Sequence, residues 1–258
     1  MKGRYKLKKI LALLMLVSAV CLSGCASNQL ATDLKQAEES SNELEMVQQQ
    51  PEVEPKFIAS SEDERVKLYA IQESKGEIEG VTVDIEGRQQ NFDWSVPNTG
   101  TDMNPQVFYT DLTGDGREEA VIIIQTGKGT GLDHFDMHVI RAEDFSVIKV
   151  QQYEEIVADQ IESHVTANED GTLAITVKVQ GQEHQFNSNV ELTPNSNQNE
   201  LAFGGVVIYA LENQRIISRL GASIGTSPQY VCDFKVTYTF DHVKNEFVAD
   251  QIEIGTYE

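Results

Sequence analysis

Between Tyr109 and Ile124 the chain reads YTDLTGDGREEAVIII. Counted from Asp111, side-chain oxygens stand at positions one (Asp111), three (Thr113) and five (Asp115). Gly116 follows at six, Arg117 at seven and Glu119 at nine. A calcium loop of this spacing takes side chains at one, three and five, bends sharply at the glycine, and uses the backbone carbonyl at seven. Asp111, Thr113, Asp115, the carbonyl of Arg117, and Glu119 are therefore the candidate calcium ligands. Position twelve is Ile122, where a helical calcium loop has its bidentate glutamate, and AVIII reads as a buried strand. The expected frame is strand–loop–strand. Thr113 brings a neutral hydroxyl, which predicts an affinity of roughly 10⁻⁴–10⁻³ M and a structural role. The same residues also spell a plain turn. Gly114-Asp115-Gly116 tolerates positive φ, and aspartates can accept hydrogen bonds from the loop's own amides. The sequence leaves both readings open.

Fewer residues elsewhere have spacings that suggest chemistry. His134, Asp136 and His138 alternate, so a strand would point all three to one side. The two histidines would then be about 13 Å apart, too far for one metal ion, and a polar outer face is the expected reading. GKGTGLDHF lacks the Lys-Ser/Thr ending of a phosphate loop and reads as a hairpin tip. Gly221-Ala222-Ser223-Ile224-Gly225 has the spelling of a nucleophile elbow, but Pro228 and another strand follow it where a helix is needed. Cys232 lies in QYVCDFKVTYTF and reads as a small buried hydrophobe. Trp94, beside the SVPNTGTDMNP loop, is a candidate sugar-stacking ring.

The elements that must position these residues are strand-like almost throughout. GTLAITVKVQG alternates Leu173, Ile175, Val177 and Val179, and GEIEGVTVDIEG alternates with one slip near Gly80. Glu86-Gly87, Asp170-Gly171, Gly181-Gln182 and Lys244-Asn245 mark turns. SSEDERVKLYAIQESKG could open with a short helix through Val66, Tyr69 and Ala70, and YEEIVADQIESHV fits a helix or a strand. The expected fold is mainly β: an antiparallel domain, sandwich or partial propeller-like, with short helices, preceded by a signal peptide and a disordered tether.

The N-terminus carries an address. MKGRYKLKK is basic, ILALLMLVSAV is apolar but too short to remain as a spanning helix, and LSGC ends it. Leu22-Ser23-Gly24-Cys25 resembles the bacterial lipobox, which implies cleavage before Cys25, lipidation of its thiol, and a protein anchored on the extracytoplasmic face of the cell membrane. Residues 1–24 are then the signal peptide, 25–59 the lipidated cysteine and a polar linker, and 60–258 the β-rich domain. The formal charge is −21, and loss of five signal-peptide cations takes it to −26. That excludes nucleic acid as an expected partner.

The run of FDWSVP, YTDLTGDGREEAVIII, TGKGTGLDHFDMHVI and the C-terminal strands resembles Gram-positive uncharacterised lipoproteins similar to VCBS and FG-GAP repeat-containing proteins. The likeness spans most of residues 78–258. It implies an all-β extracytoplasmic domain and brings no enzymatic activity. The expected function is a non-catalytic binding or interaction module of the cell envelope, calcium-stabilised. Its partners would be the membrane through the lipid, and an envelope protein, peptide or glycan. The alternatives are a hydrolase using Asp/His groups near the glycine loop and a structural accessory of an envelope complex.

Overall fold

The computed structural model of the chain describes residues 55–98, 104–190, 198–225 and 227–257. The signal peptide, Cys25 and most of the expected tether lie outside the described residues.

The first four strands form an antiparallel meander: β1 (Phe57–Ser60), β2 (Val66–Ser74), β3 (Glu77–Ile85) and β4 (Arg88–Pro97). β1 falls inside the segment assigned to the linker, so the sheet begins earlier than residue 60. The helix expected through Val66, Tyr69 and Ala70 is strand β2. Val66 and Leu68 are both fully buried on one face, a period of two that outweighs the helical spacing. The slip at Gly80 is a β-bulge, with register shifting between Glu79 and Val81. Glu86 and Gly87, both at positive φ, make the two-residue hairpin turn between β3 and β4.

β5 (Gln106–Thr110), β6 (Glu119–Gly129), β7 (Leu132–Arg141) and β8 (Val147–Val150) follow as antiparallel neighbours. YEEIVADQIESHV then divides into both of its expected states. Tyr153–Gln160 is the helix α1, with Ile156 buried, and Ile161–Ala167 is strand β9. β9 pairs with β10 (Leu173–Val179), which pairs with β11 (Gln182–Ser188), in a small antiparallel sheet. β12 (Ala202–Glu212), β13 (Arg215–Ile224), β14 (Gln229–Asp241) and β15 (Glu246–Thr256) complete the chain as antiparallel neighbours.

Two parallel pairings decide the architecture. β15 joins β8 through Glu246↔Lys149 and Phe247↔Val150, and β12 joins β7 through Val206↔Asp133 and Val207↔His134. β12-β13-β14-β15-β8-β7 therefore closes into a ring, and β6 and β5 continue outward from β7. The fold is mainly β and largely antiparallel, as the sequence implies; ring closure is the feature it did not announce.

β6 is shared by two cores. Its Val121 and Ile123 face the core of the ring and the β9–β11 sheet. Its Ala120, Ile122 and Ile124 face the core beneath β1–β4. This two-sided burial explains why AVIII is apolar without alternation.

Candidate functional site

The aspartate loop joins β5 to β6, in the expected strand–loop–strand frame. Its carboxylates face inward onto backbone. Asp111 accepts from the amide of Gly114 (2.8 Å) and that of Gly116 (2.9 Å). Asp115 accepts from the amide of Arg117 at 2.9 Å and from its guanidinium at 2.7 Å, contacts that lower its pKa. Glu119 is 1% exposed and accepts from the amides of Leu112 (2.9 Å) and Thr113 (3.1 Å). Burial raises its pKa, these two hydrogen bonds oppose the shift, and Asp115 and Asp111 add to it.

Of the five candidate ligands, Asp111, Asp115 and Glu119 have carboxylate oxygens that accept hydrogen bonds within the loop. Among the described residues no three His, Cys, Asp or Glu side chains are gathered to hold a metal ion. Calcium binding would have to draw Asp115 away from the Arg117 guanidinium, whereas the carboxylates of Asp111 and Glu119 keep lone pairs beyond those that the loop amides use. As arranged, the loop carboxylates cap backbone amides, the geometry of the turn reading. Asp111→Ala is expected to destabilise the chain by about 1 kcal/mol, equally in EDTA and in millimolar Ca²⁺. A wild-type melting shift in Ca²⁺ that the variant lacks would show that the loop rearranges around the ion.

Arginines surround the loop. Arg65, between β1 and β2, reaches Glu86 at 2.7 Å and Glu118 at 2.8 Å, and its guanidinium lies 4.2 Å from the centre of the Tyr109 ring. Arg117 reaches Glu143 at 2.7 Å. Arg88 donates to the carbonyls of Ala142 and Glu143. Arg65 and Arg88 connect the β1–β4 sheet to the ends of β5–β7, and Arg117 ties the β5–β6 loop to the β7–β8 turn. These groups are exposed, so each pair contributes little singly. Their planar donors nonetheless fix the geometry of the cleft they line.

Three clefts meet here. One of about 780 Å³ is lined by Arg65, Tyr109 and Arg117. One of about 410 Å³ lies between Asp111–Gly114 and Tyr238, Phe240 and His242. One of about 550 Å³ runs beside Asp63, Phe108 and Leu211. Gln214, in the β12–β13 turn, lines all three, and Thr110 lines the first and third. Sequence reasoning missed this groove, because its walls come from turns far apart in the chain.

The other candidates separate. His134 Nδ1 lies 3.1 Å from Thr126 Oγ1 and 3.8 Å from Asp136 Oδ1. A relay needs nucleophile and carboxylate on different ring nitrogens, and here both crowd the same one. His138 is not on a solvated outer face. It stacks on Trp94 at 3.9 Å between centroids, and Phe92 stacks on Trp94 at 4.3 Å. Two parallel rings this close cannot share one face of the indole, so Trp94 has no free face for a sugar. Gly127–Gly131 forms the β6–β7 hairpin tip. Ser223 lies within β13 and donates to the carbonyl of Ala202. Cys232 is buried, and its thiol pKa is pushed up to about 12 by burial and then by the charge of Asp233.

No family profile, no curated protein and no solved structure matches the chain.

Proposed function

We propose that the chain is a lipid-anchored extracytoplasmic protein, held to the cell membrane through Cys25, whose β domain is a non-catalytic binding module for a polar, extended envelope ligand, a peptide or a glycan strand. The observation that supports the binding role is the groove formed where three clefts meet at Gln214 and the aspartate loop. Its walls mix guanidinium, carboxylate, amide and aromatic groups, donors and acceptors that a polar ligand can pair with. Its titratable groups are largely taken up by ion pairs and loop amides, which favours recognition over proton transfer. The lipobox resemblance supports the anchor.

Two experiments test the two halves. Labelled palmitate is expected to enter the wild-type chain and not Cys25→Ser, and label in both or neither would remove the anchor. The Cys25→Ser chain is expected to bind members of a glycan or peptide array, and Thr110→Arg, which fills two of the clefts, to weaken that binding at least about tenfold, roughly 1.4 kcal/mol. Absence of binding on both arrays, or binding unchanged by Thr110→Arg, would remove the groove.

A further inference from the structure

Trp94 is the only tryptophan of the chain and sits where two layers meet. Phe92 and Trp94 project from β4, His138 from β7, and the three rings form a continuous stack across the interface. Trp94 and His138 lie nearly parallel, with 9° between their ring planes. Among the described residues, this stack, the apolar core and the Arg65 and Arg88 contacts join β1–β4 to β5–β7.

Apart from the Trp94 face, which attracts a cation weakly, the surroundings leave little to stabilise a charge on the imidazole. β6 offers Ile122, paired with His138, and Ile124, both at most 1% exposed. On β4 the charged neighbour is Asp93, which is exposed, and on β7 Asp136 lies two residues along the same face. We propose that the β4–β7 contact is an acid-sensitive latch: protonation of His138 weakens the three-ring stack and loosens the β1–β4 layer against the rest of the domain.

Burial holds the His138 pKa down to about 4, against an ordinary 6.5, and Asp93 opposes the shift only in part. The sign follows from that depression. An open layer exposes an imidazole that takes a proton near 6.5, while the closed layer takes it only near 4. Closure is therefore fully supported above about pH 6.5 and weakens as pH falls to about 4, by up to about 300-fold in the closed-to-open equilibrium.

The indole reports directly, since it touches the titrating ring. In the Cys25→Ser chain, Trp94 emission is expected to change between about pH 6.5 and 4, and to stay flat over that range in Cys25→Ser/His138→Gln. Hydrogen exchange at about pH 4.5, corrected for intrinsic rates, is expected to show β2–β4 amides opening while β13–β14 stay protected. The same emission change in the His138→Gln variant, no change in either chain, or simultaneous loss of protection in β13–β14 would each overturn the latch. His138→Phe, which keeps a ring in the stack without a titrating group, is expected to hold the layers together throughout.

Discussion

Glu119→Ala is expected to cost about 3–5 kcal/mol and to lower the melting temperature by roughly 10 °C. The carboxylate sits at 1% exposure, and one of its oxygens accepts from the amides of both Leu112 and Thr113. Alanine leaves two donors without a partner at the foot of the loop, each costing about 1–3 kcal/mol, and empties the space the side chain filled. Glu119→Gln separates hydrogen bonding from charge. Its carbonyl oxygen can take both amides, and the desolvated charge is gone, so the change is expected to stay within about 1 kcal/mol. The pH dependence has a definite direction. Burial raises the Glu119 pKa above 4.5, so the folded chain prefers the protonated acid. That contribution is present below 4.5, is lost as pH rises through the folded value, and is absent in the Gln variant. Denaturant melts of the three chains at neutral and acid pH check this. A Gln variant as unstable as the Ala variant would mean that the charge, and not the amide bonds, holds the loop.

Gly221→Val is expected to cost about 3 kcal/mol or more, through ring closure. A Cβ at Gly221 would meet the Cβ of Val206, its partner on β12, at 2.8 Å and the Tyr230 ring at 2.8 Å. The first of these neighbours cannot move without its strand. Tyr230 also lies against Gly205, and its hydroxyl donates to the carbonyl of Gly131, at the β6–β7 hairpin tip, at 2.7 Å. One tyrosine thus crosses two strands to reach the hairpin that β12 must meet. Tyr230→Phe removes only the hydrogen bond and is expected to cost about 1 kcal/mol. Urea titration of both variants gives the comparison, and a Gly221→Val chain of wild-type stability would show that β12 is free to shift.

Much of the strand pattern was legible because burial on one face leaves a period of two. Leu173, Ile175, Val177 and Val179 alternate in the sequence and are all buried in β10. The AVIII run was readable as buried, though not as the partition between two cores. Val66, Tyr69 and Ala70 misled because three residues suit a helical face as well as a strand. YEEIVADQIESHV resisted a single reading because it contains a helix and a strand end to end. The turn alternative for the aspartate loop was visible, but the pairing of Asp115 with Arg117 depends on side-chain direction, which spacing does not carry. Ring closure and the groove at Gln214 were not legible at all. Parallel pairings leave no turn between the partners, and the groove's walls meet only after the layers pack. The stack on Trp94 is hidden for the same reason, since Trp94 and His138 belong to different sheets.

Ring closure also sets the order in which the chain can fold. The hairpins of β2–β4 and β5–β7 form between near neighbours and can assemble while the C-terminal strands are still absent. β8 must wait for Glu246 and Phe247, the last strand of the chain, and β7 must wait for Val206 and Val207. Until then both carry unpaired edges beside exposed Ile and Val side chains, a template for aggregation. The capture of β15 and β12 is therefore the expected slow step of folding. A chain that stalls before β15 emerges is the species that a holding chaperone would need to cover.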